Sequence, residues 1–429
     1  MTSKRKFAVF LYPEHTTYAV PTGLLTLLED GNHLLHAQFG YGQKYAARPD
    51  AIALDPLTLA LPGLGPGALR EPPSNLTEFG VFRDASPDRW GRRLIENKLR
   101  RTGPLPESFY LAHAGGNRVG ALDFRDDPRS PEPPAELAQR IDLAYLKEAA
   151  ERVEAGETMP GRLEKIFEAG SSMGGARPKA VIEADGRQWL AKFPLRSDAY
   201  SVPQIECATL LLAREAGLNV PALKLEDIGE QRPVMLIERF DRIPLPGNAG
   251  HYGRKHFLSA LTLLARHESE SQHASYPMLA EAIAMHGPSS AIKADQAELF
   301  GRMVFNVLVN NNDDHLRNHG FLWDAIGQGW RLSPLYDVMP APSYAQERHL
   351  HLGVGFAGRL ATLPNAMSQH GVFGLAAAQA RDIILRIAGV VREWKNTFEA
   401  AGVCGQDIDR MHTAIRHPRE AGLEALGKR

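Results

Sequence analysis

The stretch Asn311-Asn312-Asp313-Asp314-His315-Leu316-Arg317-Asn318, followed by Leu335-Tyr336-Asp337-Val338, constrains this chain more than any other. Just before it, Leu299, Phe300, Met303, Val304, Val307 and Leu308 repeat at helical spacing, and Asp295 reads as the cap of that helix. Just after it, Gly320 to Trp323 and Trp330 to Leu332 read as hairpin strands around Ile326-Gly327-Gln328-Gly329. Such a hairpin would bring Asp337 back beside Asn318. Asparagine and aspartate cap and turn well, so the Asp313–Asn318 pair alone is also ordinary loop chemistry. With the hairpin and Asp337 in register, the balance reverses. Phosphoryl transfer needs a carboxylate to orient the attacking hydroxyl, plus an amide oxygen and a second carboxylate to hold Mg²⁺. Asp313, Asn318 and Asp337 are candidates for those roles.

The bulk numbers exclude several classes. At 429 residues the chain can bury a large core, and length alone suggests two or three domains. Its 49 Lys and Arg nearly balance 50 Asp and Glu, so no global field advertises nucleic acid or an anionic membrane. The two cysteines, Cys207 and Cys404, are too few for a disulfide framework, which fits a reducing cytoplasm. Lys4-Arg5-Lys6 leads into only a short apolar run, Phe7 to Tyr12, with no small-residue cleavage site, so no signal peptide is expected. No run of about 18 apolar residues suggests a membrane span.

Along the chain, residues 1–125 read as a mixed α/β subdomain, with strands at Phe7–Leu11 and Leu34–Phe39 and a helix from Arg89 to Leu99. A charged, proline-rich linker runs from Asp126 to Pro134. Residues 138–240 read as the next domain, with an α segment ending before Gly170 and β-structure concentrated over 171–240. Lys179–Glu183 and Gln188–Phe193 flank Asp185-Gly186, a strong hairpin signal. A helix reads from Glu206 to Ala216, and strands from Ala222 to Ile228 and Pro233 to Phe240. From 241 to 429 helical periodicity dominates.

Lys192 lies in an otherwise apolar strand, where a lysine is expensive to bury without a partner, and Glu206 is the obvious one. Kinases pair such a lysine and glutamate to hold the ammonium against ATP phosphates. An exposed strand face is the ordinary alternative. Gly170 to Lys179 precedes the hairpin, where backbone N–H groups of small residues can approach phosphate, with Arg177 or Lys179 adding charge. It matches neither common glycine-rich phosphate motif, and a connecting turn would look similar. Met235 to Asp241 ends the strand region where a hinge would meet adenine, with Phe240 or Ile237 against the ring. His315 is placed either to touch a phosphate or to brace the loop.

Taken in order, Ser-Met-Gly-Gly-Ala-Arg-Pro-Lys, Trp-Leu-Ala-Lys-Phe-Pro, Ile-Glu-Arg-Phe-Asp-Arg, Asn-Asp-Asp-His-Leu-Arg-Asn-His-Gly and Pro-Leu-Tyr-Asp-Val resemble the HipA family. Those proteins are serine/threonine kinase toxins of bacterial toxin–antitoxin systems. Phe79 to Asp84 and Pro87 to Arg92 resemble the family's N-terminal region, so the similarity covers nearly the whole chain. The resemblance implies an α+β, two-lobed protein-kinase-like fold. Its N-terminal lobe would be mixed and β-rich with an extra N-terminal subdomain, and its C-terminal lobe all-α.

By the same resemblance Asp313 is the catalytic aspartate, Asn318 and Asp337 hold Mg²⁺, and Lys192, paired with Glu206, meets ATP. Gly174, Gly175, Ala176, Arg177, Pro178 and Lys179 would cover the phosphates. Glu238, Arg239 and Phe240 would form the hinge, with His315 and Tyr336 also at the nucleotide. Ser172 falls where the family carries an autophosphorylated serine that switches the kinase off. A small helix-turn-helix antitoxin is implied as partner, with DNA reached only through that complex and no membrane involved. The implied substrate is a protein serine, an aminoacyl-tRNA synthetase being one kind of target. Two rivals remain: a lipid or small-molecule kinase, and a non-catalytic corepressor acting with its antitoxin.

Overall fold

The structure is a computed structural model that describes residues 2–61, 68–101, 103–133, 137–139, 142–157, 176–229, 232–245 and 250–427. Contacts divide the chain into two compact units, Met1–Arg196 with Leu236–Leu258, and Ser197–Met235 with Ser259–Arg429. Each unit therefore contains chain from two separate stretches of sequence.

The first unit opens on an antiparallel sheet of β1 (Thr2–Leu11), β2 (Val20–Asp30), β3 (His33–Tyr41), β4 (Leu69–Arg70) and β5 (Leu122–Arg125), in the order β4-β3-β2-β1-β5. Phe7 to Leu11 are all buried while Lys4 and Lys6 are exposed, so only the second half of β1 is covered on both faces. One face packs an aromatic cluster, with Phe82 at 5.2 Å from Phe39, 5.6 Å from Phe79 and 5.8 Å from Phe124, ring to ring.

The second sheet of this unit contains β6 (Ala138–Gln139), β7 (Lys179–Ala184) and β8 (Arg187–Lys192), with β6 parallel and β8 antiparallel to β7. The β7–β8 turn places Asp185 at φ 54° and Gly186 at φ 67°. Left-handed backbone at both central residues is the tight turn that Asp-Gly favours. Val234–Glu238 (β9) is the other neighbour of β8, and Arg239 N–H donates to the Gln188 carbonyl at 2.9 Å. Helix α1 (Arg89–Lys98) is capped by Asp88, which accepts from Gly91 N–H at 2.8 Å. It buries Trp90, whose indole N–H donates to the Lys179 carbonyl at 3.0 Å.

A knot of buried arginines ties this unit together. Asp241 accepts from Arg239 Nε at 2.9 Å, from Arg242 at 2.9 Å and from Gly120 N–H at 2.8 Å. Arg239 and Arg242 both donate to the Arg118 carbonyl, at 2.9 and 2.6 Å. Burial alone would raise the Asp241 pKa; the two guanidiniums outweigh it and hold the carboxyl well below the usual range.

The second unit is mainly helical. It contains α2 (Val202–Glu215), α3 (Tyr276–His286), α4 (Ile292–Val309) and α5 (Ala377–Arg392). Helix α4 is its core: Leu299, Phe300, Met303, Val304, Val307 and Leu308 are all buried against α3 and α5. The hairpin expected after it is present as β10 (Gly320–Asp324) and β11 (Gly329–Leu332), with Phe321 opposite Leu332.

Two local expectations are corrected. Asp295 does not cap α4, which starts at Ile292 after Ala291. It lies in the first turn, where a carboxylate favours the helix dipole. There it takes Arg331 through both oxygens, at 2.7 and 3.0 Å, and Leu332 N–H at 3.1 Å. Likewise Glu206 does not open α2, which begins at Val202 with Pro203 in its first turn.

Candidate active site

Helix α4 ends because Asn310 turns left-handed, at φ 55°, a conformation asparagine tolerates better than most residues. The chain beyond is then gripped from below. Asn306, the one polar residue between Met303 and Val309, donates from Nδ2 to the Tyr276 hydroxyl at 2.9 Å and accepts from Asn311 Nδ2 at 3.2 Å. The Tyr276 hydroxyl in turn donates to Asp314 Oδ2, and His319 Nε2 binds the same oxygen at 2.9 Å. Burial would raise the Asp314 pKa, but His319 and the bonds from His319 and Tyr276 outweigh it, leaving the carboxyl below its ordinary range. Burial first, and then Asp314, pushes the Tyr276 phenol well up.

The two adjacent aspartates therefore differ completely. Asp314 is buried, with Tyr276 and His319 both on its Oδ2. Asp313 is exposed, and no hydrogen bond or ion pair among the described residues holds its carboxylate. Its backbone carbonyl is taken instead, by His315 N–H at 2.8 Å and by Asn318 Nδ2 at 3.1 Å. With Nδ2 spent there, Asn318 presents Oδ1 as its remaining polar atom.

The hairpin returns the chain as expected. Ser333 N–H donates to the Gly320 carbonyl at 2.8 Å, and the Tyr336 hydroxyl donates to the Arg317 carbonyl at 2.8 Å. Tyr336 is thus docked on the loop that carries Asp313 and Asn318. Next to it, Asp337 is half-buried with φ 58°. A left-handed aspartate outside a hairpin turn is uncommon, and such strain concentrates at functional positions.

Ser271 and His351 join this loop without any signal in the sequence. Ser271 Oγ accepts from Leu316 N–H at 3.3 Å and lies 3.0 Å from His351 Nε2. The His351 ring meets His315 edge-on at 6.0 Å. Burial, then His315 and Arg359, push the His351 pKa down. Asn306 was findable, as the one amide in an apolar helical repeat.

The remaining sequence candidates are placed as follows. Lys192 is half-buried at the end of β8, in register with Lys179, while Glu206 is buried in the second turn of α2. Lys179 is itself buried and spent on Asp88 at 3.3 Å, so its charge is compensated within the first unit. Ala176 is exposed, Arg177 half-buried and Pro178 buried, its carbonyl accepting Phe193 N–H at 3.2 Å. Glu238 pairs with Arg187 at 2.6 Å, the Arg239 guanidinium lies in the knot, and Phe240 is half-buried. Ser172, Gly174 and Gly175 lie outside the described residues.

No group of three or more His, Cys, Asp or Glu among the described residues is placed to hold a metal. That does not conflict with Mg²⁺ on Asn318 and Asp337. Magnesium takes one or two protein oxygens and completes its shell with water and phosphate, and both side chains offer hard oxygen donors.

Comparison with known proteins fits this architecture. The fold is shared with HipA of Shewanella oneidensis MR-1, solved in a complex with HipB and its operator DNA, at a TM-score of 0.66 and 17% identity over 97% of this chain and 96% of that one. The HipA-like C-terminal domain family matches residues 171–394, and this chain belongs to that family. Two relatives from Sinorhizobium fredii are named "Putative kinase Y4dM", 27% identical over 77% of both chains, and "Putative kinase Y4mE", 24% identical over 72% of this chain and 74% of its own. The two-lobed kinase-like fold is thus established.

Proposed function

We propose that the chain is an ATP-dependent protein kinase of the HipA type, transferring the γ-phosphate to a protein serine or threonine and inhibiting growth by doing so. One observation carries the reading. Of two neighbouring aspartates, Asp314 is consumed in bracing the loop, while Asp313 beside Asn318 offers a carboxylate that is unengaged among the described residues. Asp314 already braces the loop, which leaves the solvent-facing Asp313 carboxylate available to a hydroxyl substrate.

In this reading Asp313 orients the attacking hydroxyl and accepts its proton as the new O–P bond forms and the bond from the γ-phosphorus to the β–γ bridging oxygen breaks, releasing ADP. Asn318 Oδ1 and Asp337 would hold Mg²⁺, which would neutralise charge on the phosphates. Tyr336 keeps Asp337 registered against the loop through its bond to Arg317. Lys192 would meet ATP with Glu206 as its partner, and the 174–177 segment would approach the phosphates. The backbone at Glu238 to Phe240 would meet adenine. Lys179 and the Arg239 guanidinium are left out, because each is committed to a buried carboxylate.

Family membership and the fold shared with a HipA solved alongside HipB and operator DNA support an antitoxin partner, with DNA reached through it. Autophosphorylation at Ser172 and a translation enzyme as target belong to the same proposal. The test is transfer of labelled phosphate from ATP and Mg²⁺ by purified protein. Asp313→Ala and Asp337→Ala should each abolish transfer and relieve growth inhibition; wild-type transfer by either variant sinks the assignment.

A further inference from the structure

A cavity of about 200 Å³ opens inside the first unit, with Tyr12, Asn117, Glu132, Arg242, Tyr252 and Arg254 in its wall. None of the residues assigned to phosphoryl transfer lines it. Its polar wall belongs to the buried arginine cluster, whose charges do not balance. Arg118, Arg239, Arg242 and Arg254 are all buried, at 1, 4, 7 and 8% exposure, against the buried carboxylates Asp123 and Asp241. Burial and then repulsion from Arg239 push the Arg242 pKa well down, and burial pulls Arg118 to about 10. Among the described residues Arg118 Nε has no hydrogen-bond partner, and the Asp123 carboxylate lies 3.8 Å from it. Guanidinium charge taken out of water without a counter-ion is strongly unfavourable.

The third carboxylate comes from outside the cluster. Glu132 sits between Pro131 and Pro133 in the charged linker, and its side chain is 44% exposed. It accepts the Tyr12 hydroxyl and lies 3.5 Å from Arg254 Nη2. Arg254 is otherwise fixed, its guanidinium 3.7 Å over the Tyr12 ring and donating to the Gly116 carbonyl at 2.8 Å. Glu183 also lines the cavity but faces Tyr252, which leaves the Arg254–Tyr12 side as the anion-receiving wall.

We propose that this cavity is a binding site for a phosphate-sized oxyanion, and that the Glu132 carboxylate occupies its Arg254–Tyr12 end as an internal stand-in that the ligand displaces. The chemistry of the wall selects the class. A guanidinium fork beside a phenolic hydroxyl matches phosphate oxygens in geometry, and a dianion answers the surplus charge that one half-exposed glutamate leaves. Displacing Glu132 frees the linker that joins the N-terminal sheet to the β6–β8 region. This site is independent of the kinase assignment.

The test titrates inorganic phosphate into the full chain in Mg²⁺-free buffer, followed by ³¹P line broadening. Wild type, Glu132→Gln and Arg254→Gln are compared. Phosphate bound anywhere else would respond equally in all three. Removing the competing carboxylate should tighten binding about tenfold in Glu132→Gln, and Arg254→Gln should weaken it at least tenfold. Phosphate should also speed hydrogen exchange at residues 127–132 of the wild type. An affinity in Glu132→Gln equal to wild type overturns the proposal. Glu132 is half-exposed and its variant should fold, so that arm decides even if Arg254→Gln does not.

Discussion

Asp313 and Asp314 are chemically identical neighbours, and their surroundings give them opposite fates. Asp314 lies under the loop with Tyr276 and His319 on one oxygen, so it is structural. We expect Asp313→Asn to remove phosphate transfer by a factor of at least about 100 while leaving the thermal midpoint within a degree or two. Asp314→Asn should instead lower the midpoint by several degrees, since it breaks a buried charged network worth roughly 2–4 kcal/mol. Calorimetry alongside the transfer assay separates the two. Because the Asp314 pKa is depressed, its stabilisation is full above about 3.8 and is lost as pH falls below that value.

His256 behaves similarly at milder acidity. It is buried with Nε2 donating to the Leu54 carbonyl at 2.9 Å, and burial lowers its pKa from 6.5 to about 4. Between those values the unfolded chain binds the proton more readily, so stability is full above about 6.5 and declines as pH drops towards 4. The loss should reach about 3 kcal/mol. Urea unfolding of the first unit from pH 7 to 4.5 should show this slope, and His256→Gln should flatten it.

At the scale of elements, the hairpin that returns Asp337 depends on close backbone approach. A Cβ on Gly329 would lie 2.5 Å from the Pro288 nitrogen, so no side chain fits there without moving backbone. Gly329→Ala should cost about 1–3 kcal/mol and reduce transfer activity together with stability, read by denaturant unfolding and by the assay. The Asp185-Gly186 turn and this hairpin were both legible, because turn chemistry is local. Strand β2 was not. Its Pro21 and Gly23 look like breakers, yet a Cβ on Gly23 would sit 2.3 Å from the Gly40 carbonyl, so the glycine is demanded by the neighbouring strand. The starts of α2 and α4 also escaped, because Glu206 reads as a helix opening and Asp295 as a cap, yet both lie inside their helices.

At the scale of the molecule, the arginine knot joins residues 117–120 to 239–242 within the first unit. Asp241→Ala would leave Arg239 and Arg242 buried against each other and should destabilise that unit by about 3–5 kcal/mol. Unfolding should then become visibly biphasic, with the first unit melting early in a calorimetric scan. For the same reason a fragment ending at Arg196 lacks Leu236–Leu258, and should show no cooperative transition. A cooperative melt of residues 1–196 would contradict that dependence.

The sequence by itself determined the helix–loop–hairpin order around Asp313, the spacing of Asn318 and Asp337, and the family resemblance that the comparisons bear out. These are local signals: apolar periodicity, turn residues and short motifs. Tertiary structure alone decided which aspartate is engaged and that Lys179 is committed to Asp88. Burial of the arginines around Asp241, and the recruitment of Ser271 and His351 to the loop, were likewise settled only there. Such outcomes depend on desolvation and on partners tens to hundreds of residues away, and no spacing rule along the chain encodes them.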